Sequence, residues 1–188
     1  MRSHPLFQNI ACLTTVLTLA VGSGCGTRCE SWNQVNQTRF EKTIPQQIDR
    51  GICDTLDVLT HSGSITVTGA DVADCNIIAK IVACAPTEKE AQELADQVEI
   101  RIHPEGSALR IRSKEPDYSD HCWTSVSYTI LIPRRMNIQC ESSFGSLDIS
   151  HIEGNLNGKN GNGPVKVQDI SGRTSLRTSF GVIECRDA

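Results

Sequence analysis

Nine cysteines are the side chains here best able to do chemistry, and their spacing decides which kind. A zinc site needs two close pairs of Cys or His. Only His121-Cys122 approaches such a pair, and no second pair matches it, so no metal site and no other cofactor is expected. Cys84 and Cys122 end and begin apolar stretches that could lie side by side, which makes them the disulfide candidates. Cys75 lies on the same extended run as Cys84, roughly 30 Å away, and cannot be its partner. Glycan-cleaving enzymes gather carboxylates in a groove. The acids that could serve, Asp148 and Glu184, alternate with Lys166 at a fixed step, which suits a solvated face. No catalytic residue is therefore expected. Gly158-Lys159-Asn160-Gly161-Asn162-Gly163 lacks the carboxylates of a calcium roll and the Lys-Ser/Thr of a phosphate loop, and reads as a corner loop. Tyr118 and Trp123 flank a loop and are the candidate contact surface, whereas Phe144 and Phe180, each just before a glycine, read as packed over corners.

The elements that would position these residues follow from a period. Gly145-Ser146-Leu147-Asp148-Ile149, Gly163-Pro164-Val165-Lys166-Val167 and Gly181-Val182-Ile183-Glu184-Cys185 recur at a step of 18 residues. Apolar side chains occupy every second position within each unit, the mark of a half-buried strand. Superposing the units puts Leu147, Val165 and Ile183 in one file, and Ile149, Val167 and Cys185 in the next. Ile138, Leu156 and Thr174 make a third. Stacked units of this kind bury a core that no unit could bury alone. The expected fold is mainly β, a parallel β-solenoid or β-helix-like stack of short strands. An antiparallel meander is the alternative, but hairpins require no fixed period.

The same grammar appears earlier. Leu56 to Val67 matches Ile138 to Ile149 at an offset of 82 residues, so one turn of the stack comes early and the rest return late. Between them, 70–135 reads as an inserted strand-helix-hairpin segment. Thr87-Glu88-Lys89-Glu90 is a capping box, and Ala91, Leu94, Ala95 and Val98 follow at helical spacing, giving one amphipathic helix near 87–98. Val98, Ile100 and Ile102, then Leu109 and Ile111, alternate across a turn at Pro104-Glu105-Gly106-Ser107. Val126, Tyr128, Ile130 and Ile132 make a further strand. Only 4% of residues are aromatic, so the core must come from Ile, Val, Leu and small residues.

The N-terminus reads differently. Arg2, the apolar run Ile10–Val21 and Gly22-Ser23-Gly24 form an export signal over 1–24, whose apolar run of 12 positions is too short for a membrane helix of about 20 residues. Small residues directly before Cys25 resemble the processing box of bacterial lipoproteins, which implies that Cys25 carries the lipid; Gly22 stands where that box usually has Leu. An ordinary secretory signal is the alternative. Acylation would leave seven thiols, an odd number. Residues 25–51 are polar and read as a tether, with the folded domain at 52–188 and its 18-residue units at 136–188. A formal net charge of −4 argues against nucleic acid as a partner.

Gly63-Ser64-Ile65-Thr66-Val67, the strand-helix-hairpin insertion, the Tyr128–Pro133 strand and the series Phe144-Gly145, Gly163, Phe180-Gly181 resemble the bacterial putative-adhesin family of envelope proteins. The resemblance covers roughly residues 52–188 and implies a strand-rich, solenoid-like domain without catalytic residues. The expected function is that of a non-catalytic cell-envelope lipoprotein, a scaffold or adhesion surface, held to the membrane by its N-terminal lipid on the outer-membrane or periplasmic face. Its partner would be an envelope protein or a second copy docking on the edge of the C-terminal coil. A glycan-binding module is the alternative, and a polysaccharide-active β-helix enzyme the lesser one.

Overall fold

The computed structural model describes the backbone of residues 28–29 and the whole of 37–117 and 121–187. Among the described residues the chain is mainly β, with one helix and two mixed sheets. In order it forms β1 (Arg28–Cys29), β2 (Gln37–Ile48), β3 (Thr55–Ser62), β4 (Ile65–Ala70) and β5 (Cys75–Ala85), followed by α1 (Glu88–Gln97). After the helix come β6 (Glu99–Glu105), β7 (Ala108–Lys114), β8 (Trp123–Pro133), β9 (Asn137–Phe144) and β10 (Leu147–Ile152). The last strands are β11 (Leu156–Asn162), β12 (Val165–Ile170), β13 (Thr174–Phe180) and β14 (Ile183–Arg186). One sheet has the order β1-β2-β5-β8-β4-β10-β12-β14 and the other β13-β11-β9-β3-β7-β6.

The expected files form. Leu147 pairs in parallel with Val165 and Val165 with Ile183, while Ile149 pairs with Val167 and Val167 with Cys185. In the second sheet Ile138, Leu156 and Thr174 stand in register. The early turn docks where its offset of 82 predicts: Ile65 lies beside Leu147 and Leu56 beside Ile138. Each strand pair is one rung that passes from one sheet to the other, and the spatial order is β7β8, β3β4, β9β10, β11β12, β13β14. The β7β8 rung was expected to belong to the insertion. It joins the parallel stack because β7 pairs in parallel with β3, and β8 with β4.

Beyond that rung the pairing turns antiparallel, which is why the sheets are mixed. Strand β5 runs antiparallel to both β8 and β2, and β6 antiparallel to β7. Strand β2 corrects the tether expected over 25–51: eleven of its twelve residues, Thr38 to Ile48, pair with β5. Alternation is present, since Phe40, Ile44 and Ile48 pack on the core. Lys42 and Gln46 occupy the positions between them and hide it; Lys42 reaches Asp96 of α1 at 2.7 Å. Helix α1 starts as expected. The Thr87 hydroxyl accepts from the Glu90 N–H, the Glu90 carboxylate accepts from the Thr87 N–H, and Ala91, Leu94 and Ala95 are buried.

The core is aliphatic. Leu56, Val58, Ile65, Val67, Ile130, Leu147, Ile149, Val165 and Val167 line the rungs, with Ile77 and Ile81 in the antiparallel flank. Each such side chain contributes about 1.5–3 kcal/mol by leaving water. Cys140 lies among them, where burial pushes its thiol up to about 12. Cys185, expected to be inward and buried, is exposed because β14 is the outermost strand of its sheet and no further strand covers it among the described residues.

Candidate interaction surface

Two features of the stack are specialised, the corner that follows each strand of the second sheet and the last rung. The corner is built from glycine. Gly63, Gly145, Gly163 and Gly181 all have positive φ, and a Cβ on Gly163 would sit 2.0 Å from the Gly145 carbonyl oxygen. The backbones of successive corners therefore touch. Three residues before each glycine stands a small polar side chain, and these satisfy corner carbonyls that a strand ladder leaves open. Thr60 donates to the Val126 carbonyl at 2.9 Å, and Ser142 to that of Gly63 at 3.2 Å. Asn160 donates to the carbonyls of both Gly145 and Gly163, at 2.9 and 3.0 Å. The glycines were legible in the sequence. The polar file beneath them was missed, although Thr60, Ser142, Asn160 and Thr178 recur at one position in the period.

Outside this corner, Ser62, Phe144, Asn162 and Phe180 stand in register. The two phenylalanines were expected to pack over the corner. They project into solvent instead, 53% and 73% exposed, because the corner interior is already filled by Ser142, Asn160 and Thr178. Phe144 meets the His61 ring edge-on at 5.8 Å. Of the stretch expected to be a corner loop, Gly158 to Gly163, all but Gly163 belongs to β11, and Gly163 alone stands at the corner. Alternation turns Gly158 inward there, where a Cβ would come within 2.9 Å of a Leu176 methyl. A cavity of about 450 Å³ beside the corner is lined by Leu59, His61, Ser113, Glu115, Pro116 and Asp117.

The last rung is the second feature. Strands β13 and β14 are the outer strands of the two sheets, so both sheets open at the same end of the stack. Val182 is 64% and Ile183 40% exposed, and every residue of β14 is in contact with solvent. The outward charges fall in files as expected, with Lys166 between Asp148 and Glu184. A second file, Glu141, Lys159 and Arg177, lies on the other sheet, with Lys159 and Glu141 3.9 Å apart.

The residues singled out in the sequence are scattered. Cys25 and Tyr118 lie outside the described residues. Trp123 begins β8 and is partly exposed. Gln37 of β2 donates to the His121 carbonyl at 2.9 Å and fastens the approach to that strand. Cys84 is disulfide-bonded, but Cys122 is not the second half of that bond. The register sets Cys84 opposite Trp123, and alternation then turns Cys122 to the other face of the sheet. Among the described residues no three His, Cys, Asp or Glu side chains converge as a metal site, and no helix is long and apolar enough to cross a membrane.

No protein-family model matches the chain, and no curated protein matches it by sequence. Solved structures do. The neighbours are bacterial putative adhesins. A putative cell adhesion protein from Clostridium sporogenes ATCC 15579 overlaps 78% of this chain and 99% of its own, with 8% identity and a TM-score of 0.44. A putative adhesin from Bacteroides fragilis NCTC 9343 overlaps 76% of this chain and 61% of its own, with 14% identity and the same TM-score of 0.44. Another, from Parabacteroides merdae ATCC 43184, overlaps 77% and 96% at 9% identity with a TM-score of 0.30. Likeness at this level assigns no activity.

Proposed function

We propose that the chain is a non-catalytic, exported, lipid-anchored envelope protein, a short parallel β-solenoid serving as a scaffold or adhesion surface through its last rung. The observation that carries this reading is the common open end of the two sheets, where backbone hydrogen-bonding groups of β13 and β14 coincide with the exposed side chains of Val182 and Ile183. Edge strands of soluble proteins are normally covered or guarded. An uncovered pair in which both strands carry apolar side chains favours a contact surface. Acylation of Cys25 would hold this end away from, and still tethered to, a membrane. The test is binding of the full mature chain to isolated envelope fractions. A change at the open rung, Ile183→Lys, is expected to abolish binding while leaving the thermal transition in place; unchanged binding would refute the reading. Mass spectrometry of the mature N-terminus is expected to find acyl chains on Cys25.

A second reading, glycan binding, is favoured by one observation. Phe144 and Phe180 are exposed two rungs apart, roughly 9.6 Å, with Asn162 between them. Aromatic faces with an interposed amide suit the stacking and hydrogen bonding of a disaccharide. Glycan-array binding that disappears in Phe144→Ala/Phe180→Ala would establish it, and an array blank for the unaltered chain would dismiss it.

A further inference from the structure

The open rung is built to meet its own image. Within β14 the groups that face outward are set by those already used. Val165 N–H donates to the Val182 carbonyl at 2.9 Å, so in a parallel ladder the even-numbered residues of β14 bond to β12. Ile183 and Cys185 then turn their N–H and C=O groups to the free edge. The same reasoning holds on the other sheet. Leu156 N–H donates to the Arg173 carbonyl at 2.9 Å, which leaves Thr174, Leu176 and Thr178 facing outward.

Consider a second copy related by a two-fold axis crossing both sheets. It would lay β14 against β14 and β13 against β13, each pair antiparallel. Charge selects the register of β14. An axis at Glu184 sets two carboxylates opposite each other, and one at Arg186 sets two guanidinium groups opposite each other. Both are unfavourable cross-strand pairs. An axis at Ile183 overlaps only the corner. An axis at Cys185 places Glu184 opposite the partner's Arg186 and Arg186 opposite the partner's Glu184, all four side chains being exposed in the single chain. In this arrangement Cys185 faces itself as a hydrogen-bonded pair, with Cα atoms about 5.5 Å apart. With the axis at Cys185, Ile183 would stand opposite the partner's Asp187, whose carbonyl already accepts from the Ile170 N–H of its own chain, so the β14 pairing ends there, while Leu176 continues the apolar file of the second sheet.

Head-to-tail growth is disfavoured. The opposite edge of the second sheet is β6, which carries Glu99, Arg101, His103 and Glu105 and has Pro104, which lacks an N–H, within the strand. The contact therefore closes after two copies.

We propose that the chain forms a two-fold dimer by antiparallel pairing of its last rung, with Cys185 on the axis and two Glu184–Arg186 pairs flanking it. The inference rests on the reading of the open rung as a contact surface and names its partner. It is tested on the full chain with a short bismaleimide, which adds one thiol to each of its two double bonds and needs no oxidant. A covalent dimer on a denaturing gel is expected for the unaltered chain and not for Cys185→Ser. Glu184→Arg alone and Arg186→Glu alone each put like charges in register, and cross-linked dimer is expected to fall on the order of tenfold. Mixing these two variants, carried on chains of different size, restores both opposite-charge pairs, and a mixed-size dimer is expected in preference to either self-dimer. Thermal unfolding of each variant checks that the rung is intact.

Absence of a Cys185-dependent dimer in the unaltered chain, or charge variants that dimerise as well as it does, would overturn the inference. So would a mixture that yields no mixed dimer. Envelope binding separates the two readings. Loss of binding on Ile183→Lys in a chain that never dimerises sinks the dimer alone, whereas dimerisation with undisturbed envelope binding sinks the scaffold reading alone.

Discussion

Replacing Gly163 by Ala probes the corner more sharply than any change to the core. Gly163 has φ +132, where side chains are rarely found, and the added Cβ would lie 2.0 Å from the Gly145 carbonyl oxygen. The backbone conformation alone costs about 1–3 kcal/mol in a residue other than glycine. The clash cannot be relieved by a rotamer, because its partner is backbone. Rungs β9β10 and β11β12 must separate locally, which endangers the Asn160 hydrogen bond to the Gly145 carbonyl and that from the Gly145 N–H to the Asn162 carbonyl, 2.9 and 3.0 Å. Two hydrogen bonds at about 1 kcal/mol each bring the expected loss to about 3–5 kcal/mol. Gly106→Ala is the control. Gly106 also has positive φ, +62, but nothing lies within 4 Å of its Cβ position, so only the left-handed penalty of about 1–2 kcal/mol applies. Urea unfolding of both variants measures the contrast. Equal losses would show that strain alone acts at Gly163, and that successive corners do not touch.

Asn160→Ala removes the donor shared by two corner carbonyls and is expected to cost about 1–3 kcal/mol, since the half-buried Gly145 carbonyl loses that donor and the Gly163 carbonyl keeps only the Thr178 hydroxyl at 3.5 Å; Asn160→Asp, which cannot donate, should do no better. Thr87→Ala removes the hydroxyl that accepts from the Glu90 N–H, while the backbone N–H donating to the Glu90 carboxylate stays, and should cost about 1 kcal/mol, read as a lowered midpoint in thermal unfolding. Stability should also depend on alkaline pH. Burial pushes the Cys75 thiol up to about 11 and the Cys140 thiol up to about 12, so both stay protonated in the folded chain after they would ionise in the unfolded one. Their contribution is complete below about pH 9 and falls by about 1.4 kcal/mol per pH unit for each thiol above it, until the folded values are reached. Cys140→Ala should flatten that decline in urea titrations between pH 9 and 11.

Period and corner were legible because they rest on single residue types. Glycine at 145, 163 and 181 and the alternating aliphatics between them admit one superposition, and the offset from Leu56 to Ile138 extends it to the early rung. The helix was legible for a similar reason, as Thr87 and Glu90 stand three apart ahead of a 3.6-residue pattern. Strand β2 was not, because its apolar positions recur every fourth residue, with Lys42 and Gln46 between, and because its partners on β5 lie 27 to 47 residues away along the chain. Leu109 and Ile111 show why the β7β8 rung was assigned to the insertion. Local alternation finds the hairpin of β6 and β7 but cannot reveal that β7 also pairs with β3. At the candidate surface, the exposure of Phe144 and Phe180 depends on what already fills the corner, a fact of three dimensions. Cys185 occupies an inward position of the period yet is exposed, because a period describes neighbours and not which described strand lies at the edge of its sheet.

The central claim is that residues 18 apart stand side by side on neighbouring parallel strands. Paired cysteine substitutions on the exposed outer file test it directly, because Asp148 and Lys166 are in register and Asp148 and Gln168 are two residues out of step. In-register positions are roughly 4.8 Å apart across the ladder, whereas the out-of-step pair lies too far for a disulfide to form without backbone movement. Under mild oxidation, Asp148→Cys/Lys166→Cys should form an internal disulfide, identified by peptide mapping, and Asp148→Cys/Gln168→Cys should not. The reverse pattern, or equal trapping of both pairs, would contradict the stack.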